Sequence, residues 1–275
     1  MLLLGACGGG GSGDAEEPVP DGVSCGPTTF ASGGVEVAAE RCAPNGSSPV
    51  PVVGGAVVLG GCTSGEDDGL LERQLASSLA TAGVVTLVPE YLTASDAPSG
   101  TFCAPTPEAI AGLPAVVGAV ADGVAALRQD PQVAGLPVVA AGYSFGGLAA
   151  LYASSGQGPS QPLAQAELAA MALFAAPTYP EVLTAAQAGA LPPMLILQGE
   201  DDETVPVGDS TALEAAAVDG GTEVALVLVP GMDHGWSEDS DQARTARGTA
   251  VPDVVAFLVD ALGGADDATG STVPS

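Results

Sequence analysis

The stretch from Leu136 to Gly147, Leu-Pro-Val-Val-Ala-Ala-Gly-Tyr-Ser-Phe-Gly-Gly, restricts the fold more than any other part of the chain. Val138 to Ala141 reads as a short buried strand, and Leu148 to Ala153 reads as a helix following at once. Between them sits Gly142-Tyr143-Ser144-Phe145-Gly146, a G-x-S-x-G pattern at a strand-to-helix turn. The pentapeptide alone is a weak signal, and a glycine-rich turn with a solvent-facing serine would also contain it. Its flanks give it meaning. A turn that sharp holds the serine in a strained backbone conformation, and neighbouring chains pass where a Cβ on Gly142 or Gly146 would lie. The helix behind the turn aims its first N–H groups at any negative charge forming beside Ser144.

The rest of the chain alternates apolar runs with helical patterns. Strands are expected at Val52 to Leu59, Val84 to Val88, Ala170 to Ala175, Pro193 to Leu197 and Val224 to Val229. Helices are expected at Asp68 to Ala82, Pro107 to Gln129, Pro180 to Ala188, Thr211 to Val218 and Pro252 to Leu262. Val35 to Ala39 reads as an edge strand. The alternation implies an α/β class with a mostly parallel sheet covered by helices on both faces. One domain is expected over residues 25–263, with its core at 50–263. Residues 1–24 read as a separate head, disordered from Gly8 onward, and 264–275 as a frayed tail. The short connection between the strands at 170–175 and 193–197 leaves no room for a substantial lid, so an open site is expected.

Charge excludes some partners. The 275 residues carry 33 acidic and 5 basic side chains, a net charge of −28. Phosphate backbones and anionic lipid surfaces would be repelled, so neither nucleic acid nor electrostatic membrane docking is expected. The five cysteines, Cys7, Cys25, Cys42, Cys62 and Cys103, form no C-x-x-C pair, and together with a single histidine this argues against a zinc site. No metal or other cofactor is expected. Setting Cys7 aside, four cysteines suit an oxidising compartment. Of the three pairings open to them, Cys25–Cys42 with Cys62–Cys103 is the one expected. Val133 to Tyr152 is uncharged and apolar, but Pro137 and the glycines make strand-turn-helix a better reading than a membrane span.

A serine hydroxyl attacks well only when a base takes its proton and a carboxylate holds that base. His234 is the only histidine, and it lies just past the last expected strand. The carboxylate is expected from Glu200-Asp201-Asp202-Glu203, after the strand before it, with Asp202 and Asp201 both open as candidates. Asp233, adjacent to His234, reads as solvated. Two backbone donors should face the developing oxyanion: the N–H of Phe145, and the N–H of Cys62 in the Gly60-Gly61-Cys62 turn. Tyr143, Phe145 and Trp236 are candidates either for an acyl pocket or for the core.

The elbow, the Leu197-Gln-Gly-Glu-Asp-Asp-Glu-Thr-Val-Pro206 segment and Pro230-Gly-Met-Asp-His-Gly-Trp236 together resemble the dienelactone hydrolase family of α/β-hydrolases. The second segment matches the family's G-x-x-D-x-x-V-P pattern, which is what points to Asp202. The resemblance implies an α/β-hydrolase fold and cofactor-free hydrolysis of an ester or lactone, small or polymeric. The founding enzymes carry cysteine in the elbow; Ser144 here favours general ester chemistry. Two other readings stay open: a non-catalytic surface binding protein on the same scaffold, and a peptidase or acyltransferase using the same three residues. Leu4-Gly5-Ala6-Cys7 resembles the lipobox of bacterial lipoproteins, which implies acylation of Cys7, a flexible tether behind it and an extracytoplasmic, membrane-anchored location. The run before Cys7 is short and lacks a basic segment, which a start site placed too late would explain.

Overall fold

The computed structural model describes residues 19–63, 69–98 and 100–263. Cys7, the tether up to residue 18 and the tail 264–275 lie outside them. Eight strands form one sheet: β1 (Val23–Ser32), β2 (Val35–Pro44), β3 (Gly54–Leu59), β4 (Val84–Pro89), β5 (Val138–Tyr143), β6 (Met171–Phe174), β7 (Met194–Gly199) and β8 (Val224–Val229). Six α-helices cover it: α1 (Leu70–Thr81), α2 (Pro107–Gln129), α3 (Phe145–Ser155), α4 (Pro180–Gln187), α5 (Val207–Asp219) and α6 (Asp241–Gly263). The strand order is β1-β2-β4-β3-β5-β6-β7-β8. β1 and β2 run antiparallel to their neighbours, and every pairing from β4 to β8 is parallel.

The strands of a doubly covered sheet are apolar on both sides, and the alternation of side chains sorts them between two cores. Val57 and Leu59 of β3, Ala140 of β5 and Ile196 of β7 face the layer built by α2, α3, α4 and α5. Ala56, Val58, Val139, Ala141, Leu195 and Leu197 face α1 and α6. Leu71, Leu75 and Leu79 are the stripe that α1 turns inward, as their spacing predicts. The α2 helix has the length and mean hydropathy, 1.9, of a membrane span. It lies along the sheet with Val116, Val117, Ala119 and Val120 fully buried, which accounts for that composition.

The structure departs from the sequence expectation mainly near the ends. Val23 and Ser24, expected in a disordered stretch, open β1, whose ten residues pair with β2 in unbroken register from Val23↔Pro44 to Ser32↔Val35. The hairpin is closed by Gly33 and Gly34, both at positive φ, where glycine is free of strain. The last helix begins at Asp241 rather than Pro252. Pro252 lies inside α6 and costs that helix one hydrogen bond, while Ala243, Ala246, Ala250 and Val251 before it are buried and hold the preceding turns in place. The elbow helix starts at Phe145 rather than Leu148, and α5 at Val207 rather than Thr211.

Disulfides join Cys25 to Cys42 and Cys62 to Cys103. The first ties β1 to β2 directly across their paired positions. It closes a loop of 17 residues at the sheet edge, so it restricts the unfolded chain and holds a strand that pairs with one neighbouring strand only. Replacing both cysteines by alanine is expected to lower the unfolding free energy by about 3 kcal/mol in urea titrations. A loss below about 1 kcal/mol would mean that the hairpin's hydrogen bonds alone fix β1.

Candidate active site

The parallel strands all end at one rim of the sheet, and the loops leaving β3, β5, β7 and β8 meet there. β5 runs into α3 through Ser144, whose φ of 52° and ψ of −121° lie where a residue with a side chain is strained. The glycines around it are explained by contact. A Cβ on Gly142 would sit 2.6 Å from the Gly146 carbonyl and the Gly147 nitrogen, and one on Gly146 would overlap the carbonyl oxygens of Leu59 and Gly60. The same pentapeptide pattern occurs at Gly22-Val23-Ser24-Cys25-Gly26, but there it lies along the extended edge strand β1, and no Cβ on Gly26 would meet a neighbour. Only Ser144 stands at a strand-to-helix turn.

Ser144 Oγ lies 2.9 Å from His234 Nε2, and His234 Nδ1 lies 2.8 Å from Asp202 Oδ2. Of the four consecutive acids, Glu200, Asp201 and Glu203 are exposed and Asp202 is buried. Its carboxylate has a full set of donors. Oδ1 accepts the N–H groups of Thr204 at 2.9 Å and Val205 at 2.8 Å, and Oδ2 also accepts Gln198 Nε2 at 3.2 Å. Gln198 is itself buried, donating to the Val205 carbonyl and accepting the Ser210 hydroxyl. Burial would push the Asp202 carboxyl up. The hydrogen bonds from His234 and the Val205 N–H, the attraction of the His234 ring and the Thr204 N–H together hold it below the ordinary 3.8. An ionised carboxylate only accepts, so His234 Nδ1 carries the hydrogen facing Asp202, and Nε2 is left with its lone pair toward the Ser144 hydroxyl.

The loop carrying His234 is anchored on three sides. The Tyr143 hydroxyl donates to the His234 carbonyl at 2.7 Å, a bond across the elbow that no spacing in the chain predicts. Trp236 is fully buried edge-on against Phe174, with ring centroids 5.2 Å apart, so it belongs to the core rather than to a substrate pocket. Buried Arg247 on α6 donates to the carbonyls of Trp236 and Glu238, and Ser237 donates to Glu72 of α1 at 2.5 Å. Asp233 is exposed and caps the Gly235 N–H, in line with the solvated role read from its position.

Phe145 is the first residue of α3, where N–H groups have no partner within the helix. The Gly60–Cys62 turn packs directly on the elbow: a Cβ on Gly61 would stand 3.3 Å from the Tyr143 ring and 3.7 Å from Ser144 Cβ. Buried Tyr91 donates to the Gly60 carbonyl at 2.7 Å, and the Cys62–Cys103 disulfide ties this turn to the segment carrying Phe102. Phe102 in turn packs on Phe145, with centroids 5.1 Å apart.

A cavity of about 550 Å³ opens beside Ser144 and His234. Its walls come from Phe102 to Pro105, from the first turns of α2 and α3, and from the start of α4, so the short β6–β7 connection forms a side wall, not a lid. Phe145 and Tyr143 line it; Trp236 does not. The one cluster of metal-ligand types among the described residues is Cys25, Glu40 and Cys42, and its two cysteines are joined to each other.

A stability test follows from Asp202. Because its native pKa is depressed, the stability contributed by the ionised carboxylate is complete above the ordinary value and is lost as pH falls through the native one. Urea unfolding of wild type and Asp202→Asn should therefore show a stability gap that narrows between about pH 5 and about pH 3. A gap constant over that range would mean the charge contributes nothing.

Comparison with known proteins agrees with this architecture. The fold is similar to that of a dienelactone hydrolase from Klebsiella pneumoniae, at 17% identity and TM-score 0.65, covering 86% of this chain and 98% of that one. It is similar to a dienelactone hydrolase-like promiscuous phosphotriesterase from metagenomic libraries, at 19% identity and TM-score 0.61, covering 86% and 99%. An acylaminoacyl peptidase from Pyrococcus horikoshii aligns at 14% identity and TM-score 0.65 over 91% of this chain but 44% of its own. No curated protein matches the sequence. The dienelactone hydrolase family model matches residues 55–262, from β3 to the end of α6, and the chain belongs to that family.

Proposed function

We propose that this chain is a serine hydrolase of carboxylic esters or lactones, working through an acyl-enzyme at Ser144. The observation that carries the reading is the continuous hydrogen-bond line from Ser144 through His234 to buried Asp202 at the mouth of an apolar cavity. His234 Nε2 takes the hydroxyl proton as Ser144 Oγ bonds to the acyl carbon. Asp202 stabilises the imidazolium that results and keeps the ring oriented. The tetrahedral oxyanion is held by the N–H groups of Phe145 and Cys62, with the positive end of α3 behind the first. Collapse expels the alcohol, which takes the proton from His234. Water then enters, gives its proton to His234 and attacks the acyl carbon, and the acid leaves as Ser144 recovers its hydrogen. No metal or cofactor has a part in these steps.

Tyr143 is a positioning residue in this scheme, since its hydroxyl holds the backbone of His234 and its ring packs beside the imidazole, with centroids 5.3 Å apart. An extracytoplasmic location is part of the proposal. The disulfides Cys25–Cys42 and Cys62–Cys103 support an oxidising compartment, and the lipobox-like Leu4 to Cys7 supports an acyl anchor.

Hydrolysis of p-nitrophenyl acetate and butyrate is the test. Ser144→Ala and His234→Ala should each lower kcat by about 10⁴-fold or more, and Asp202→Asn by about 10³- to 10⁴-fold. Wild type no faster than folded Ser144→Ala would leave the binding-protein reading in front. Tyr143→Phe removes one neutral hydrogen bond, so kcat should fall about 5- to 10-fold with KM little changed. An equal rise in KM with kcat intact would instead make the hydroxyl a substrate contact.

A further inference from the structure

The cavity beside Ser144 is unevenly lined. Toward α2 it is apolar, with Phe102, Ile110, Leu113 and Leu148. Toward α4 and α5 it carries two carboxylates, Glu181 and Asp209, and none of the chain's five arginines is among its lining residues. Both acids are held in place. Tyr152, 2% exposed, donates its hydroxyl to Glu181 Oε1 at 2.6 Å. Asp209 Oδ2 accepts the Thr178 N–H at 3.1 Å, and the Asp209 carbonyl accepts the Thr178 hydroxyl at 3.3 Å. Each acid thus has one anchored oxygen, and neither is paired with a cation among the described residues. Their field reaches the tyrosines around them. Burial, then Asp209 and Glu181, push the Tyr179 hydroxyl up, and burial with the Glu181 contact does the same for Tyr152.

Building on the ester-hydrolase reading, we propose that this cavity selects esters whose enclosed part is apolar and uncharged, and that Glu181 and Asp209 exclude substrates carrying a carboxylate there. An anionic group in this half-open, largely apolar cavity would meet two like charges, with no arginine or lysine among the lining residues to pair with. At an effective dielectric constant of about 20, one like charge at about 6 Å weakens binding by about 100-fold. Water entering with the substrate reduces this, so discrimination of about 10- to 100-fold is expected. The rest of the surface, at net charge −28, also repels anions, but over distances that salt screens.

Two substrates of one shape separate the local effect from the global one: methyl p-nitrophenyl adipate, which is neutral, and the mono-p-nitrophenyl ester of adipic acid, which ends in a carboxylate. In about 0.5 M NaCl, wild type should prefer the neutral ester by at least about tenfold in kcat/KM. The double variant Glu181→Gln, Asp209→Asn should reduce that preference by about tenfold. Glu181→Gln alone keeps an oxygen for the Tyr152 hydroxyl, so it serves if the double variant does not fold, with a reduction of about threefold expected. A wild-type preference within about twofold of unity, or one unchanged in the folded variants, would overturn the proposal while leaving the hydrolase reading intact. Ser144→Ala run with both esters tests that reading separately: turnover of either ester persisting at the wild-type rate would overturn it.

Discussion

The elbow depends on one close approach between backbones. Gly146 leaves no volume where a side chain would project, and the carbonyls of Leu59 and Gly60 fill that place. This contact exists because β3 and β5 are neighbours in the sheet, in a register that sets Leu59 opposite Gly142. A single register therefore brings the turn after β3 and the turn after β5 to the same point. A Cβ at Gly146 would push α3 away from the end of β3 and separate Ser144 from the Gly60–Cys62 turn. The strained φ and ψ of Ser144 cost on the order of 1–3 kcal/mol, and the buried helix behind it, all eleven residues of which are enclosed, holds the strain in place. The serine is fixed by backbone packing before any side chain around it is considered.

The histidine is fixed differently. It follows β8, an edge strand that is half exposed along its length, with Val227 43% and Leu228 39% accessible. An edge strand paired on one side cannot by itself set a side chain to within a fraction of an ångström. The loop beyond it is held from below instead. Trp236 enters the core under α6, Arg247 takes the carbonyls on either side of Ser237, and Ser237 reaches Glu72 on α1. From above, Tyr143 ties the His234 carbonyl to the elbow itself. Ser144 and His234 are thus coupled twice, by their own 2.9 Å contact and by the neighbouring residue of the elbow. Gly199 completes the arrangement: a Cβ there would overlap the Met232 carbonyl, so the loops after β7 and β8 lie against each other.

What the sequence made legible follows the strength of local signals. The parallel strands are short apolar runs bounded by glycine and proline, and their type and order could be read directly. Pro107 with Thr106 before it marks the start of α2, where the Thr106 hydroxyl accepts the Ala109 N–H. Pro252 misled for the opposite reason, since its usual place at a helix start hides the eleven residues of α6 that precede it. β1 was missed because Gly26 and Pro27 break the pattern of a strand, and only pairing with β2 holds them extended. At the site, Ser144, His234 and the segment around Asp202 are visible in linear order. The choice among Glu200, Asp201, Asp202 and Glu203 was carried only by a motif match; in the fold it rests on donors, because Gln198 and the N–H groups of Thr204 and Val205 converge on one carboxylate. Of the cavity walls, only Tyr143 and Phe145 beside the elbow are legible in the sequence. Phe102, Glu181 and Asp209 come from three distant segments, and no spacing in the chain links them.

The scarcity of positive charge connects composition to site. Arg41 is placed against Asp130 and Gln132, Arg128 against Glu167, Arg244 against Asp239 and Asp241, and Arg247 beneath the histidine loop. These four are held at points away from the cavity lining, and the fifth, Arg73 on α1, is not among the lining residues either. In a chain with ample lysine and arginine, a pair of carboxylates beside a cavity would be offset by some nearby cation through numbers alone. Here no arginine lines the cavity, and half-buried Glu181 and Asp209 have no ion-pair partner among the described residues. A surface rich in acid alters solubility and long-range steering, both of which salt diminishes. The same composition carried to the inner wall of a cavity is not screened in that way. In the proposal made above it becomes a local property of the cavity, set by two anchored side chains and the tyrosine and threonine that hold them.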